Sequence, residues 1–234
     1  MDEKSIHAGH RQRLKQRYLS GGLDSFDDVN VLELLLTFGT PRRDCNEAAH
    51  ALLAQFGSLS GVLEAPVEAL SKIPGVSEHA AILLHLVTDV CRRHLIDRAK
   101  MNDVLTTVDA CGNYLVPFFY GLRNEAVYLL SLDAKCKVLA CHLIGDGAVN
   151  SANVPIRKIV EKALAVNATS VILAHNHPSG IAVPSRDDIA ATEKLRAALD
   201  AVGIVLVDHI IVADEDFVSL SQSGYGRSSQ YGSF

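Results

Sequence analysis

Apolar residues recur at helical spacing in the first part of the chain and gather into short runs in the second part. Spacing of three to four residues predicts amphipathic helices, whereas a short apolar run bounded by turn residues predicts a buried strand. The change of pattern predicts an all-α domain over residues 1–100 and an α/β domain over residues 103–224. The polar stretch at residues 96–108 is predicted to link them, and the Ser- and Gly-rich residues 225–234 to form a flexible tail.

The individual elements follow from the same pattern. Helices of the first domain are predicted at residues 46–56, 59–63, 67–70 and 78–94. Strands are predicted at residues 126–132, 137–144, 170–174, 204–212 and 217–220, the last of them at a sheet edge. Helices of the second domain are predicted at residues 109–120, 155–165 and 189–202.

The first twenty residues differ from this pattern because they are polar and locally basic. Arg13 and Arg17 lie one helical turn apart, which allows a basic helical face. The polarity of the segment nevertheless favours a solvated arm over a phosphate-binding surface.

Composition excludes several classes of protein. The 234 residues carry a net charge of −5, so a strongly basic nucleic-acid footprint is absent. No run of about 18 apolar residues predicts a membrane span, and the polar N-terminus does not resemble a secretory signal. The five cysteines form no C-x-x-C pair, which argues against a disulfide framework or a zinc ribbon and favours a reducing, cytoplasmic compartment.

A candidate metal site lies where the strand at 170–174 runs into a Pro- and Gly-rich loop. Side chains alternate along a strand, so His175 and His177 are expected on one face. Ser185 is the expected N-cap of the next helix, which puts Asp188 in its first turn, near the two histidines. Two nitrogens and one oxygen, with a fourth position for water, suit a catalytic zinc ion. The alternative is that Asp188 is not a metal ligand and serves only as the acidic partner of a capping box.

The motif H-N-H-P-S-G-x-x-x-P-S-x-x-D resembles the metal motif of JAMM/MPN-type proteins, and its H-N-H-P-S-G portion is similar to the RadC branch of that superfamily. The helical first part also resembles the N-terminal domain of RadC-type proteins. The resemblance implies a three-layer α/β domain of JAMM/MPN (cytidine-deaminase-like) fold with a mixed sheet. It further implies a zinc metallopeptidase in which an activated water attacks a peptide or isopeptide bond of a peptide or protein substrate.

The same resemblance implies two catalytic residues beside the metal ligands. Glu125, at the start of a predicted strand, matches the family's general base and is favoured over Glu161, which is expected on a solvent-facing helix side. Ser185 matches the serine that supports the oxyanion, in addition to its expected capping role. His209 in the strand at 204–212 is expected to be structural, with a contact to a metal ligand as the alternative.

A DNA-associated repair factor or nuclease is the rival interpretation. Residues 73–77 resemble a helix-hairpin-helix turn, which presents backbone N–H groups to a phosphate. Ser77 replaces the second glycine of that turn, so any DNA contact through the N-terminal domain would be weak and salt-sensitive. A metal-bound but inactive interaction module is the third interpretation, and the oligomeric state cannot be inferred from the sequence.

Overall fold

The computed structural model describes residues 3–40, 44–99, 104–147 and 155–224. It divides into two compact units, Met1–Cys91 and Arg92–Phe234. The expected tail at residues 225–234 and the centre of the expected linker, residues 100–103, lie outside the described residues. No helix among the described segments is both long enough and apolar enough to cross a membrane.

Helices build the first unit. Their bounds are Glu3–Gly21 (α1), Asp28–Gly39 (α2), Asn46–Phe56 (α3), Leu59–Leu63 (α4), Val67–Leu70 (α5) and Glu78–Ala99 (α6), within which the boundary between the units falls. The predicted helices at 46–56, 59–63 and 67–70 are confirmed to the residue. The inner faces of α2 to α6 share one core, in which Leu32, Leu52 and Leu84 are fully buried.

The N-terminal segment is a helix, and most of its residues between Gln12 and Gly21 are exposed to solvent, but one side of it packs on α2. Leu14 on α1 is buried, and Arg17 donates a hydrogen bond to Asn30 Oδ1 on α2 at 2.9 Å. His10 lies 3.1 Å from the buried carboxylate of Glu33. His10 and Arg17 of α1 therefore have partners on α2, a long-range pairing that the local polarity of the segment does not reveal.

The turn before α6 packs two helices of the first unit. Gly75 has φ +85°, and Val76 is buried in the core. Ser77 Oγ accepts a hydrogen bond from Ala80 N–H at 3.2 Å and thereby caps α6. The helix continues to Ala99, five residues beyond the predicted end, because Ile96 and Ala99 still pack against a buried cluster of the second unit.

The second unit is built around one mixed sheet. Its strands are Ala126–Leu132 (β1), Val138–Asp146 (β2), Ser170–Asn176 (β3), Val205–Ala213 (β4) and Asp216–Ser219 (β5). They are arranged in the order β2-β1-β3-β4-β5, and only β3 and β4 pair in parallel. The helices are Val108–Leu115 (α7), Ile156–Ala165 (α8) and Arg186–Asp200 (α9), with a 3₁₀ helix at Val116–Phe119. The expected hairpin of β1 and β2 and the edge position of β5 are confirmed.

Side-chain alternation gives the sheet two apolar faces and the unit three layers. Val127 and Leu129 on β1 pack with α8 and α9, whereas Leu130 packs on the opposite face with α7 and the 3₁₀ helix. The single helix predicted at 109–120 is interrupted after Leu115. Pro117 lacks the backbone N–H that an α-helix would use there, so the chain tightens into the 3₁₀ turn.

Candidate metal centre

The candidate site lies in the β3–α9–β4 unit, where β3 ends and α9 begins. His175 is the next-to-last residue of β3, and its neighbour on the same face, Leu173, packs against the α9 layer. His177 is the first residue after the strand, and its backbone N–H still bonds to Val212 O of β4 at 2.8 Å. Strand alternation thus directs both imidazoles toward the start of α9.

A capping box begins α9 and fixes Asp188. Ser185 Oγ accepts the Asp188 N–H at 3.0 Å, and the Ser185 N–H donates to Asp188 Oδ2 at 2.7 Å. The expectations that Ser185 caps this helix and that Asp188 sits in its first turn are confirmed. Asp188 is fully buried, whereas Ser185 is exposed. The carboxylate does more than cap, because its second oxygen points away from the cap.

Three potential ligand atoms converge at this point. His175 Nε2 lies 2.9 Å from His177 Nε2 and 3.2 Å from Asp188 Oδ1, and His177 Nε2 lies 3.6 Å from Asp188 Oδ2. All three residues offer ligand atoms within 4.8 Å of one another, and together they could hold a metal ion. The structure therefore brings together the three residues that the sequence motif singled out.

The hydrogen bonding of Asp188 fits a cation at this point. Oδ1 is buried and accepts no hydrogen bond from any residue that the structure describes, although His175 Nε2 is only 3.2 Å away. Burial by itself would raise the pKa of the carboxyl, but its hydrogen bonding with Ser185 helps to hold that pKa far below its ordinary value. A buried anionic oxygen without a donor is costly, and a bound cation would satisfy it.

The loop after β3 sets the proton position on His177. His177 Nδ1 lies 2.9 Å from the carbonyl oxygen of Ile181. A carbonyl only accepts, so Nδ1 carries the proton, and in a neutral ring Nε2 is left as a lone pair that faces His175 and Asp188. Gly180, at φ +76°, makes the turn that brings Ile181 back to the histidine.

A second group of buried side chains lies behind His175. His175 Nδ1 is 2.8 Å from His209 Nε2 on β4, and His209 Nδ1 is 2.6 Å from Thr192 Oγ1 on α9. Thr192 Oγ1 also donates to the backbone carbonyl of Asp188 at 2.6 Å. His209 therefore does contact a candidate ligand, the alternative that the sequence left open. Thr192 was missed, although its position four residues after Asp188 puts both on one side of α9.

Glu125 immediately precedes β1 and is half-buried. Val127 pairs with His175 in the antiparallel register, so continuing the alternation of β1 by two residues puts Glu125 on the face of the histidines. The buried Asn176, also missed in the sequence, accepts from Ala126 N–H on one side of Glu125 and donates to a carbonyl on the other. Glu161, by contrast, lies on α8 in an exposed pair with Arg157.

Comparison with known proteins agrees with this arrangement. Residues 105–225 match the family described as RadC-like JAB domain, and residues 7–82 match the UPF0758 N-terminal family. A UPF0758 protein of Nitrosococcus oceani is 37% identical over 219 residues, which cover 94% of this chain and 96% of the relative. A UPF0758 protein of Stutzerimonas stutzeri is 35% identical over 214 residues, covering 92% and 96%. The chain therefore belongs to the RadC family of UPF0758 proteins, whose JAB domain relates it to the metal-dependent hydrolases of the JAMM type.

Proposed function

We propose that this protein is a zinc-dependent metallopeptidase that hydrolyses a peptide or isopeptide bond. The observation that carries the proposal is the convergence of His175 Nε2, His177 Nε2 and Asp188 Oδ1 around one point, where the buried Oδ1 has no hydrogen-bond donor among the described residues. Three protein ligands of the His₂Asp type leave one position of a tetrahedral ion open, as catalytic zinc sites do and structural ones do not.

Zinc in this site would supply Lewis-acid activation of a water molecule and of the scissile carbonyl. The protein supplies the remaining groups. His175, His177 and Asp188 hold the ion, and the exposed start of α9 leaves the site open to a substrate from the side of Ser185. The His177 side chain is 16% exposed, whereas His175 and Asp188 are almost completely buried.

Glu125 acts as the proton carrier. Its carboxylate takes a proton from the attacking water and passes it to the leaving amine, so that one group serves first as base and then as acid. The Ser185 hydroxyl supports the oxyanion. Its Oγ accepts in the helix cap, and its own proton remains available for an oxygen of the substrate.

Metal analysis joined to a cleavage assay tests the proposal. Purified wild type is expected to carry about one zinc per chain, and the double variant His175→Ala, His177→Ala none. Glu125→Gln should retain the metal and lose cleavage of a peptide library. Glu161→Gln is the matched control, because this exposed glutamate pairs with the exposed Arg157 on the same helix, and it should cleave like wild type.

Each result tests a different part of the proposal: the metal site, the proton carrier or the peptidase activity. Full zinc retention by the double histidine variant would refute the metal site. If Glu125→Gln retains zinc and cleaves as fast as wild type, the metal-site proposal stands and another group must transfer the proton. A wild type that holds zinc and cleaves no peptide or isopeptide bond would refute the peptidase assignment alone.

No contact of the described residues favours the DNA-associated alternative over this one. In the hairpin-like turn, the Ser77 hydroxyl that stands in place of the second glycine caps α6 and also lies 3.4 Å from the Gly39 carbonyl. These contacts serve helix packing. The remaining test is a salt titration of DNA binding by the full chain, since a phosphate contact would weaken steeply with salt.

A further inference from the structure

A chain of buried hydrogen bonds leads from α9 through β4 to the candidate ligand on β3. It runs from the Asp188 carbonyl to Thr192 Oγ1 at 2.6 Å, from Thr192 Oγ1 to His209 Nδ1 at 2.6 Å, and from His209 Nε2 to His175 Nδ1 at 2.8 Å. Every side chain in it is at least 97% buried. Bulk water therefore cannot compete for these donors and acceptors, and each proton has a defined place.

Counting the available protons shows which group donates and which accepts at each of these hydrogen bonds. A nitrogen that binds a metal carries no proton, so His175 must carry its proton on Nδ1 if Nε2 is the ligand. That Nδ1–H donates to His209 Nε2, which must accept. The proton of His209 then lies on Nδ1 and donates to Thr192 Oγ1, and the single proton of Thr192 goes to the Asp188 carbonyl, which can only accept.

The far end of the chain imposes the same order independently. Since a carbonyl cannot donate, Thr192 has to give its proton to Asp188 O, and its oxygen has to accept from His209. With both imidazole rings neutral, the sequence of donors is thus set at the helix and ends with a lone pair on His175 Nε2. That lone pair faces Asp188 Oδ1 at 3.2 Å and His177 Nε2 at 2.9 Å.

A threonine inside a helix commonly bonds to the carbonyl four residues earlier, and Thr192 does so. That contact by itself would be purely local. The second contact, to His209 on a neighbouring strand, is what connects α9 to the ligand. His209 pairs with Leu173 in the parallel register of β3 and β4, which sets it beside His175 on the α9 face of the sheet.

We propose that Thr192 and His209 are positioning residues that hold His175 in the tautomer with Nε2 free for the metal. The proposal rests on the metal site of the proposed function. Asp188 on α9 would then contribute to the metal site in two ways. Its carboxylate is a ligand, and its backbone carbonyl is the last acceptor in the series of hydrogen bonds that orients the ligand His175. Loss of such an outer partner typically weakens metal binding about ten- to a hundredfold.

Zinc affinity of the full-length chain, measured by competition with a chromophoric chelator, tests this proposal. Thr192→Val removes the hydroxyl at nearly constant volume and should weaken zinc binding about ten- to a hundredfold, while Thr192→Ser restores it. Thr88→Val is the matched control. Thr88 is also buried and donates to a backbone carbonyl, that of Leu63 at 3.1 Å, and its loss should leave zinc affinity unchanged.

A spectroscopic measurement reads the tautomer directly. In ¹⁵N-histidine-labelled wild type with zinc, long-range ¹H–¹⁵N correlation spectra should show His175 and His209 both protonated at Nδ1. In zinc-free Thr192→Val, the His175 signals should move toward a mixture of tautomers. A merely structural role of Thr192 would change unfolding temperature without moving these signals.

The outcomes separate this inference from the proposed function. A wild type without zinc affinity would overturn both. A wild type that binds zinc, together with a folded Thr192→Val variant of equal affinity, would overturn the inference alone. Should Thr192→Val not fold, an Nε2-protonated His175 or an Nε2-protonated His209 in wild type would overturn it as well.

Discussion

The side chain of Asn176 on β3 bonds to the backbone of Ala126 on β1: Asn176 Oδ1 accepts the Ala126 N–H at 2.7 Å. The same amide donates from Nδ2 to the carbonyl of Asn124 at 3.1 Å. One buried side chain therefore holds the backbone immediately before and after Glu125. Because Asn176 lies between the two histidines in the chain, it connects the proposed proton carrier to the proposed metal ligands.

Asn176→Ala should reduce the free energy of unfolding by about 1–3 kcal/mol, because the buried Ala126 N–H loses its acceptor. Turnover should fall as Glu125 loses its fixed position, while zinc affinity changes little, since Asn176 is not a ligand. Urea unfolding, zinc titration and the cleavage assay measure the three effects. Asn176→Asp keeps an acceptor for Ala126 but sets a buried carboxylate oxygen against the Asn124 carbonyl, so it should not recover the lost stability. Equal stability of all three proteins would contradict the role of this amide.

Short-range rules brought the three convergent residues together as candidates, and the resemblance to the JAMM/MPN motif favoured a metal site over a capping box alone. Alternation along β3 put His175 and His177 on one face, and capping chemistry put Asp188 in the first turn of α9. Both rules act within a few residues of sequence. The strands and helices that they depend on were also predicted to within a few residues, because each has a clear apolar period.

Contacts between distant segments could not be predicted in the same way. The pairing of His209 with His175 depends on which strand lies beside β3 and in what register, and neither is encoded in the strand itself. The same holds for Asn176 and the backbone of β1, 50 residues away in the chain. The helical state of α1 likewise depends on partners in α2, such as Asn30 for Arg17.

Zinc should raise the unfolding temperature of metal-stripped wild type, because a ligand that binds only the folded state stabilises it by about 2.7 kcal/mol at a hundredfold excess over Kd. Asp188→Asn should not respond. Asparagine keeps an oxygen for the Ser185 N–H and so preserves the helix cap, but it lacks the anionic oxygen that the ion requires. Differential scanning fluorimetry with and without zinc measures the shift, and an equal shift in both proteins would exclude Asp188 as a ligand.

Gly112→Ala should destabilise the protein by about 1–3 kcal/mol through overpacking. A Cβ built at Gly112 on α7 would lie 2.2 Å from the ring of Phe217 on β5. Helix propensity predicts the opposite sign, a gain of about 1 kcal/mol, so the measurement separates packing from propensity. Gly21→Ala at the end of α1, where nothing lies within 4 Å of the added Cβ, is the control and should not destabilise.

A compensating change sharpens that prediction. Phe217→Leu in the Gly112→Ala background should recover part of the lost stability, since it shortens the side chain that the new methyl meets. Urea unfolding of the four proteins of the double-mutant cycle gives the coupling free energy. Strictly additive effects would show that the two side chains do not meet.

Cys111 on α7 should be nearly inert to alkylation in the folded protein. Burial, assisted by the nearby charge of Asp208, raises the pKa of its thiol to about 12, so that at pH 8 only about one thiol in ten thousand is ionised. Mass spectrometry after brief iodoacetamide treatment should find the half-buried Cys136 labelled and Cys111 unlabelled. Comparable labelling of both in folded protein would contradict the burial of Cys111.

The same pKa shift predicts a pH dependence of stability. The thiol of the unfolded chain ionises near its ordinary pKa of 9.0, whereas the folded one stays protonated until about pH 12. The unfolded state therefore releases a proton first, and the free energy of unfolding should fall as pH rises above 9. Cys111→Ala should show a shallower decline between pH 9 and 11, measured by urea unfolding at each pH.

Cys136→Gly should stabilise the hairpin of β1 and β2 by about 0.5–1 kcal/mol. Cys136 has φ +60° in the turn between these strands, a conformation that costs an L-residue with a Cβ about 1–2 kcal/mol and that glycine adopts freely. The turn itself is preserved, because Asp133 Oδ1 accepts the N–H groups of Lys135 and Lys137 at 2.8 and 2.9 Å. Cys136→Ala removes the thiol and keeps the Cβ, so it should give no such gain; if alanine and glycine stabilise equally, the thiol rather than the backbone conformation is the cause.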